Sequence, residues 1–159
     1  MDYEAIKNEI LSKMQAGIIN FGIPGEFSPQ PDKLIIETEK QLGCKLPPSY
    51  IWYITTFGGG EIYGDAIYSI YGEINGALST SDISYLAMSY RKSKFIEEYE
   101  IPICSSDFGE IFSLDTRQVD EAGEYPVYRK LGEKKEKYTD SFAEFLVKYA
   151  NADTFTFGQ

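Results

Sequence analysis

The sequence predicts an α+β fold: a single domain over residues 1–159 with a largely antiparallel, twisted sheet flanked by helices. Three observations lead there. Helix-period apolar spacing opens and closes the chain, and the period turns to alternation after Gly58, Gly59 and Gly60. The elements run helices, strands, helix, strands, helix, which is not a regular βαβ order. A chain of 159 residues suits one domain and can bury a core without disulfides or metals.

Tyr3, Ile6, Ile10 and Met14 in "DYEAIKNEILSKMQ" share one helical face, and Gly17 ends that helix. "GIPGEFSPQP" reads as a loop, so residues 1–31 are expected to be a helix and a loop. Asp32 is placed to cap a second helix running to Leu42, with Gly43 at its left-handed stop. Pro47 keeps Leu46 out of helix, and Pro48 suits the first turn of a third helix ending at Phe57. The second and third helices carry Ile35, Leu42, Tyr50, Trp52, Ile54 and Phe57, enough to cover a sheet face.

"EIYGDAIYSIYG" alternates and reads as strand broken near Gly64. "STSDISYLAMSYRKSKFIEEY" reads as a helix capped by Ser79, Thr80 or Ser81. "IPICSSDFGEIFSLDT" reads as two strands joined at "SSDFG", and "EYPVYRKL" as another strand. "GEKKEKY" reads as a charged turn. "TDSFAEFLVKYA" is a closing helix capped by Thr139 or Asp140, with Phe142, Phe145, Leu146 and Tyr149 on one face. "TFTF" near the end is either a short strand or a frayed tail.

Composition narrows the chemistry. Histidine is absent, so Ser–His–Asp and Cys–His catalysis and histidine-ligated metals are excluded. Cys44 and Cys104 form no CxxC pattern and read as buried reduced thiols. No apolar run approaches a membrane span, and the acidic, amphipathic N-terminus is unlike a signal peptide; a cytoplasmic setting is expected. The net charge is −10, with 13 acidic and 4 basic residues in 61–128. Such a field repels nucleic acid and anionic membrane and attracts a basic protein, although it also serves plain solubility.

Two motifs suggest enzyme chemistry and lose it on inspection. A phosphate loop needs glycines at the entry to a helix. Gly58, Gly59 and Gly60 follow a helix, and Glu61, with no nearby Lys or Arg, comes next. They therefore read as a helix stop and turn. Asp107, Glu110 and Asp115 have carboxylates for Mg²⁺ or Ca²⁺, but they miss the EF-hand pattern, and Glu110 and Asp115 fall on opposite faces of one strand. A solvent-facing hairpin is the preferred reading. No metal and no cofactor is expected.

"ETEKQLGCKLPPSYIWYITTFGGG" resembles the opening signature of the SUKH superfamily, the Smi/Knr-like immunity proteins. The matching residues are Glu39, Leu42, Gly43, Leu46, Pro47, Tyr50, Phe57, Gly58 and Gly59. Further along, Gly109, Phe112, Leu114 and Asp115 resemble the family's paired strands, and Pro126 and Val127 its Pro-Val strand. Ser141, Phe142, Phe145 and Leu146 resemble its closing helix. The resemblance spans roughly 32–148. Glu110 departs from it, standing where Asp or Asn is common, and the glycine run is three long.

The resemblance implies a SUKH-like α+β fold and, in bacteria, a non-catalytic immunity role: binding and neutralising a cognate toxin domain, often a nuclease. A nuclease cleft is basic, so an acidic inhibitor gains association rate and orientation. The expected contact residues are Glu61, Asp65, Glu73, Asp107, Glu110 and Asp115, with Tyr63, Tyr68 and Tyr71 as aromatic anchors. Gly43, Pro47, Tyr50, Trp52, Gly58, Gly59, Gly109 and Phe142 are expected to be architectural. The alternatives are a regulatory scaffold with an endogenous partner and a carboxylate- or metal-dependent enzyme. The sequence leaves oligomeric state open.

Overall fold

The computed structural model describes residues 1–23, 31–71, 73–74, 77–78 and 81–152. The helices are α1 (Tyr3–Gln15), α2 (Pro31–Leu42), α3 (Pro48–Thr56), α4 (Ile83–Lys92) and α5 (Phe142–Ala150). The strands are β1 (Ile19–Phe21), β2 (Gly60–Ile62), β3 (Asp65–Ile67), β4 (Glu73–Ile74), β5 (Ala77–Leu78), β6 (Glu100–Ser105), β7 (Ile111–Asp115), β8 (Val127–Leu131) and β9 (Lys134–Thr139). Seven strands form one sheet in the order β1-β2-β3-β6-β7-β8-β9, and every pairing is antiparallel. β4 and β5 form a separate two-stranded hairpin. The α+β expectation holds.

The helix breaks fall where the sequence puts them. Gly17, Gly43 and Gly58 all adopt positive φ, at 78°, 79° and 81°. Gly60 does a second job. A Cβ there would stand 2.2 Å from the Asn20 carbonyl oxygen and 2.6 Å from Phe21 Cα, so only glycine lets β1 close on β2. The run "GGG" thus stops α3 and admits a neighbouring strand.

Several elements correct the sequence reading. β1 lies where only helix and loop were expected; at three residues it is too short to show a period. Asp32 sits inside the first turn of α2 rather than capping it. α4 is capped by Asp82, whose Oδ1 accepts from the N–H groups of Ser84 and Tyr85, and it stops at Lys92. Ser141, not Thr139 or Asp140, caps α5 by accepting from the Glu144 N–H. "GEKKEKY" is no turn: only Gly132 and Glu133 turn, and Lys134–Thr139 is the edge strand β9. Cross-strand pairing outweighs the weak strand preference of Lys and Glu there. Cys104 is buried but Cys44 only partly so, and both are free. "TFTF" and most of "GIPGEFSPQP" lie outside the described residues.

The core joins α3, α5 and the sheet through aromatic rings. Phe142 meets Tyr50 at 5.0 Å and Tyr53 at 5.3 Å between ring centroids. Phe145 and Tyr149 each lie 5.3 Å from Phe112 of β7. The hydroxyl of Tyr50 donates to the Tyr68 carbonyl, so the polar tip of a buried ring is satisfied. Trp52 is half-buried at the rim, stacked on Tyr3 of α1 at 5.0 Å. Glu39 accepts from the Leu46 N–H at 2.8 Å and so folds the Pro47 connector back onto α2.

Glu124 supplies a tie that the sequence reading overlooked. Its buried carboxylate accepts from the backbone N–H and the hydroxyl of Ser49, in the first turn of α3. A carboxylate there satisfies an orphan donor and meets the positive helix end. Glu124→Ala is expected to destabilise the fold by about 1–3 kcal/mol, because it strands a buried N–H. Urea unfolding checks this; an unchanged midpoint would mean that water replaces the carboxylate.

Candidate functional site

Three tight turns share one end of the sheet. They are Tyr63–Gly64 between β2 and β3, Asp107–Gly109 between β6 and β7, and Gly132–Glu133 between β8 and β9. β3 pairs with β6 through Ile67 and Cys104, which sets the first two turns side by side.

Tyr63 is the unusual residue. It has φ of 51°, followed by Gly64 at 82°, as a two-residue hairpin turn demands. A bulky side chain in the left-handed region is strained, and such strain persists only where the surroundings enforce it. Its side chain is tied down by a hydrogen bond from the Tyr63 hydroxyl to the Ala150 carbonyl at the end of α5, 2.9 Å long. The ring stays 41% exposed.

Asp65 sits across the hairpin from Ile62 and accepts from the Tyr149 hydroxyl of α5. Burial pushes its carboxyl above the usual range, and the negative charges of Asp107 and Glu61 push the same way. The Tyr149 hydroxyl and the Asp107 N–H oppose the rise without cancelling it. Asp65 therefore feels the charges of both Glu61 and Asp107 at this end. Next to Asp107, Phe108 is 66% exposed on the turn. Sequence reasoning passed over Phe108; the signal was an aromatic inside the polar turn "SSDFG".

The Asp65 shift has a testable sign. The native state holds this proton more tightly than the unfolded chain does, so stability falls as pH rises from the unfolded value of 3.8 through the raised native one. Asp65→Asn is expected to unfold at higher denaturant than the parent at pH 7 and alongside it below pH 3.8. An equal gap at both pH values would remove the titration as its cause.

The other expected contact residues lie elsewhere. Glu110 is fully buried: its Oε1 accepts from the Ser106 hydroxyl, and its Oε2 lies 3.5 Å from Arg129 Nε. Arg129, itself 4% exposed, also pairs with Glu136 across β8–β9. Asp115 is buried too. Burial alone would raise its carboxyl, but hydrogen bonds from Arg117 and Gln118 hold it below the usual range. Tyr68 is 5% exposed and donates to Ser105 Oγ. These three are corrected from surface to interior, because alternation gives a residue's face but not whether that face is covered. Tyr71 is exposed but lies beyond the far end of β3, near Gly59. Glu73 stands on β4, and its side chain lies outside the described residues.

Asp107, Glu110 and Asp115 are thus separated: one at a turn, two in the interior, each of those two facing an arginine. Among the described residues, no group of three or more Asp, Glu or Cys is disposed to hold a metal ion. Nor, among those residues, is any helix long and apolar enough to cross a membrane.

Among the described residues, five helices on a seven-stranded antiparallel sheet, with an aromatic α3–α5 joint and a glycine-admitted strand, make this an α+β domain of the SUKH type. The family model SUKH_6, described as SMI1-KNR4 cell-wall, matches residues 32–146, and the chain belongs to that family. A search of curated proteins finds no match.

Proposed function

We propose that this protein is a non-catalytic, cytoplasmic immunity protein that binds and neutralises a toxin domain, with a basic nuclease domain as the partner class. The observation that carries this reading is the turn end of the sheet. There Asp65 lies within electrostatic reach of Glu61 and Asp107, and the rings of Tyr63 and Phe108 beside them in the turns are exposed. Rigid aromatics dominate interface energies, and a ring held in strained backbone is ordered before the partner arrives. The acidic cluster supplies steering toward a cationic cleft. Membership of the SUKH superfamily supports protein binding as the activity.

The test is co-expression with the toxin-like gene nearest in its genome, scored by cell survival. The parent protein is expected to protect. Charge reversal at Glu61, Asp65 and Asp107 to Lys is expected to abolish protection while the folded signal remains. Absence of protection by the parent would sink the pairing and favour a regulatory scaffold.

A further inference from the structure

The end of α4 differs from the other helix stops. α1, α2 and α3 each give way to a glycine at positive φ: Gly17, Gly43 and Gly58. α4 closes in the same way, but Lys94 takes the left-handed position, with φ of 64°. Its N–H donates to the Arg91 carbonyl, and the Phe95 N–H donates to the Tyr90 carbonyl. The Phe95 ring meets the Tyr90 ring edge-on, 6.2 Å between centroids. These are the paired bonds and the apolar contact of a helix stop that prefers glycine. A lysine is held there at a conformational cost, and such a cost points to a use for the side chain.

A cavity of about 560 Å³ is lined by Tyr90, Lys94 and Phe95 from α4 and its stop, and by Ser105, Ile111 and Lys130 from β6, β7 and β8. The polar groups it offers are donors. Lys130 Nζ gives one proton to the Phe95 carbonyl at 2.9 Å and keeps two. Among the described residues, neither Lys94 nor Lys130 is ion-paired with a carboxylate. The hydroxyls form a directed relay. Tyr68 has one proton and gives it to Ser105 Oγ at 2.8 Å, so the Tyr90 hydroxyl, 3.3 Å away, is the donor to Tyr68. The relay ends on the Ser105 hydroxyl, whose own proton has no acceptor among the described residues. Of the acidic residues at this wall, Glu110 is already committed to Ser106 and Arg129, and Glu133 is exposed on the β8–β9 turn.

We propose that this cavity binds a small organic acid: a carboxylate carried on a flat apolar body. The ammonium groups of Lys94 and Lys130 and the hydroxyl of Ser105 supply charge-assisted donors for the carboxylate. The Phe95 ring, 55% exposed, and the half-buried Ile111 side chain take the apolar body. The volume lies in the range of small-molecule pockets and leaves room for a fused-ring molecule. The site does not depend on the immunity reading.

The test is titration of the full chain, labelled with ¹⁵N, with three probes: naphthoate, its uncharged analogue naphthamide, and inorganic phosphate. Naphthoate is expected to shift the amides of Lys94, Phe95, Ser105, Ile111 and Lys130 saturably. Naphthamide lacks the charge and is expected to bind about tenfold more weakly. Phosphate lacks the apolar body and is expected not to saturate. Lys94→Gly is expected to weaken naphthoate about threefold. The same variant is expected to raise the unfolding midpoint, because glycine suits a φ of 64°. No saturable shift, equal affinity for naphthamide, saturation by phosphate, or a Lys94→Gly variant that binds as the parent does would each overturn the proposal. A midpoint lowered by Lys94→Gly would overturn it as well, by showing that the lysine serves the helix stop itself.

Discussion

Replacing Arg129 with methionine is expected to destabilise the protein by about 3–5 kcal/mol, among the largest single effects available in this fold. The guanidinium is 4% exposed and stands between Glu110, which is fully buried, and Glu136 on the neighbouring strand. Taking it away leaves a carboxylate in the interior with no cation, and that penalty exceeds whatever the intact pair contributes. The comparison that isolates the cause is the double variant Arg129→Met with Glu110→Leu. It removes both charges and is expected to recover most of the loss, since well-packed apolar groups often match a buried ion pair. Urea unfolding of the parent, the single and the double variant reads the effect. A single variant within about 1 kcal/mol of the parent would mean that Glu110 is already served by other donors.

Phe142→Ala is the second large effect. The ring is fully buried and touches Tyr50, Tyr53 and Phe145, so it joins both α3 and α5. Truncating a buried Phe costs about 3–5 kcal/mol through lost transfer energy and a residual cavity. For a chain of this size that lowers Tm by roughly 10 °C. Phe142→Leu keeps most of the volume and is expected to lose less than half as much. Equal losses for the two variants would show that ring geometry, rather than volume, holds the joint.

The legible parts of the fold were those written in local physics. Glycine at Gly17, Gly43 and Gly58 marked helix ends, because left-handed backbone favours glycine. The aromatic faces of α3 and α5 were legible by period. β1 and β9 were not. β1 exists because Gly60 lets it approach β2, and β9 because β8 offers it a register; both causes lie outside the strands themselves. The candidate site divided along the same line. Glu61, Tyr63, Asp65 and Asp107 were placed near turns by turn chemistry, and the structure keeps them at one end. Glu110, Asp115 and Tyr68 looked alike in sequence but are covered, and their partners Arg129, Arg117 and Ser105 are fixed by strand register and loop geometry. Glu124, 75 residues from Ser49, belongs to the same class of long-range tie.

The β2–β3 hairpin is held from behind by α5 at two points, the Ala150 carbonyl receiving Tyr63 and the Tyr149 hydroxyl reaching Asp65. α5 therefore works as a splint for a loop some eighty residues away in sequence. Fraying its last turn would free both the ring and the carboxylate and would also loosen the Tyr149 contact with Phe112 in the core. The shape of the turn end and the packing of the core therefore share one residue, Tyr149, and a change there is expected to register in both.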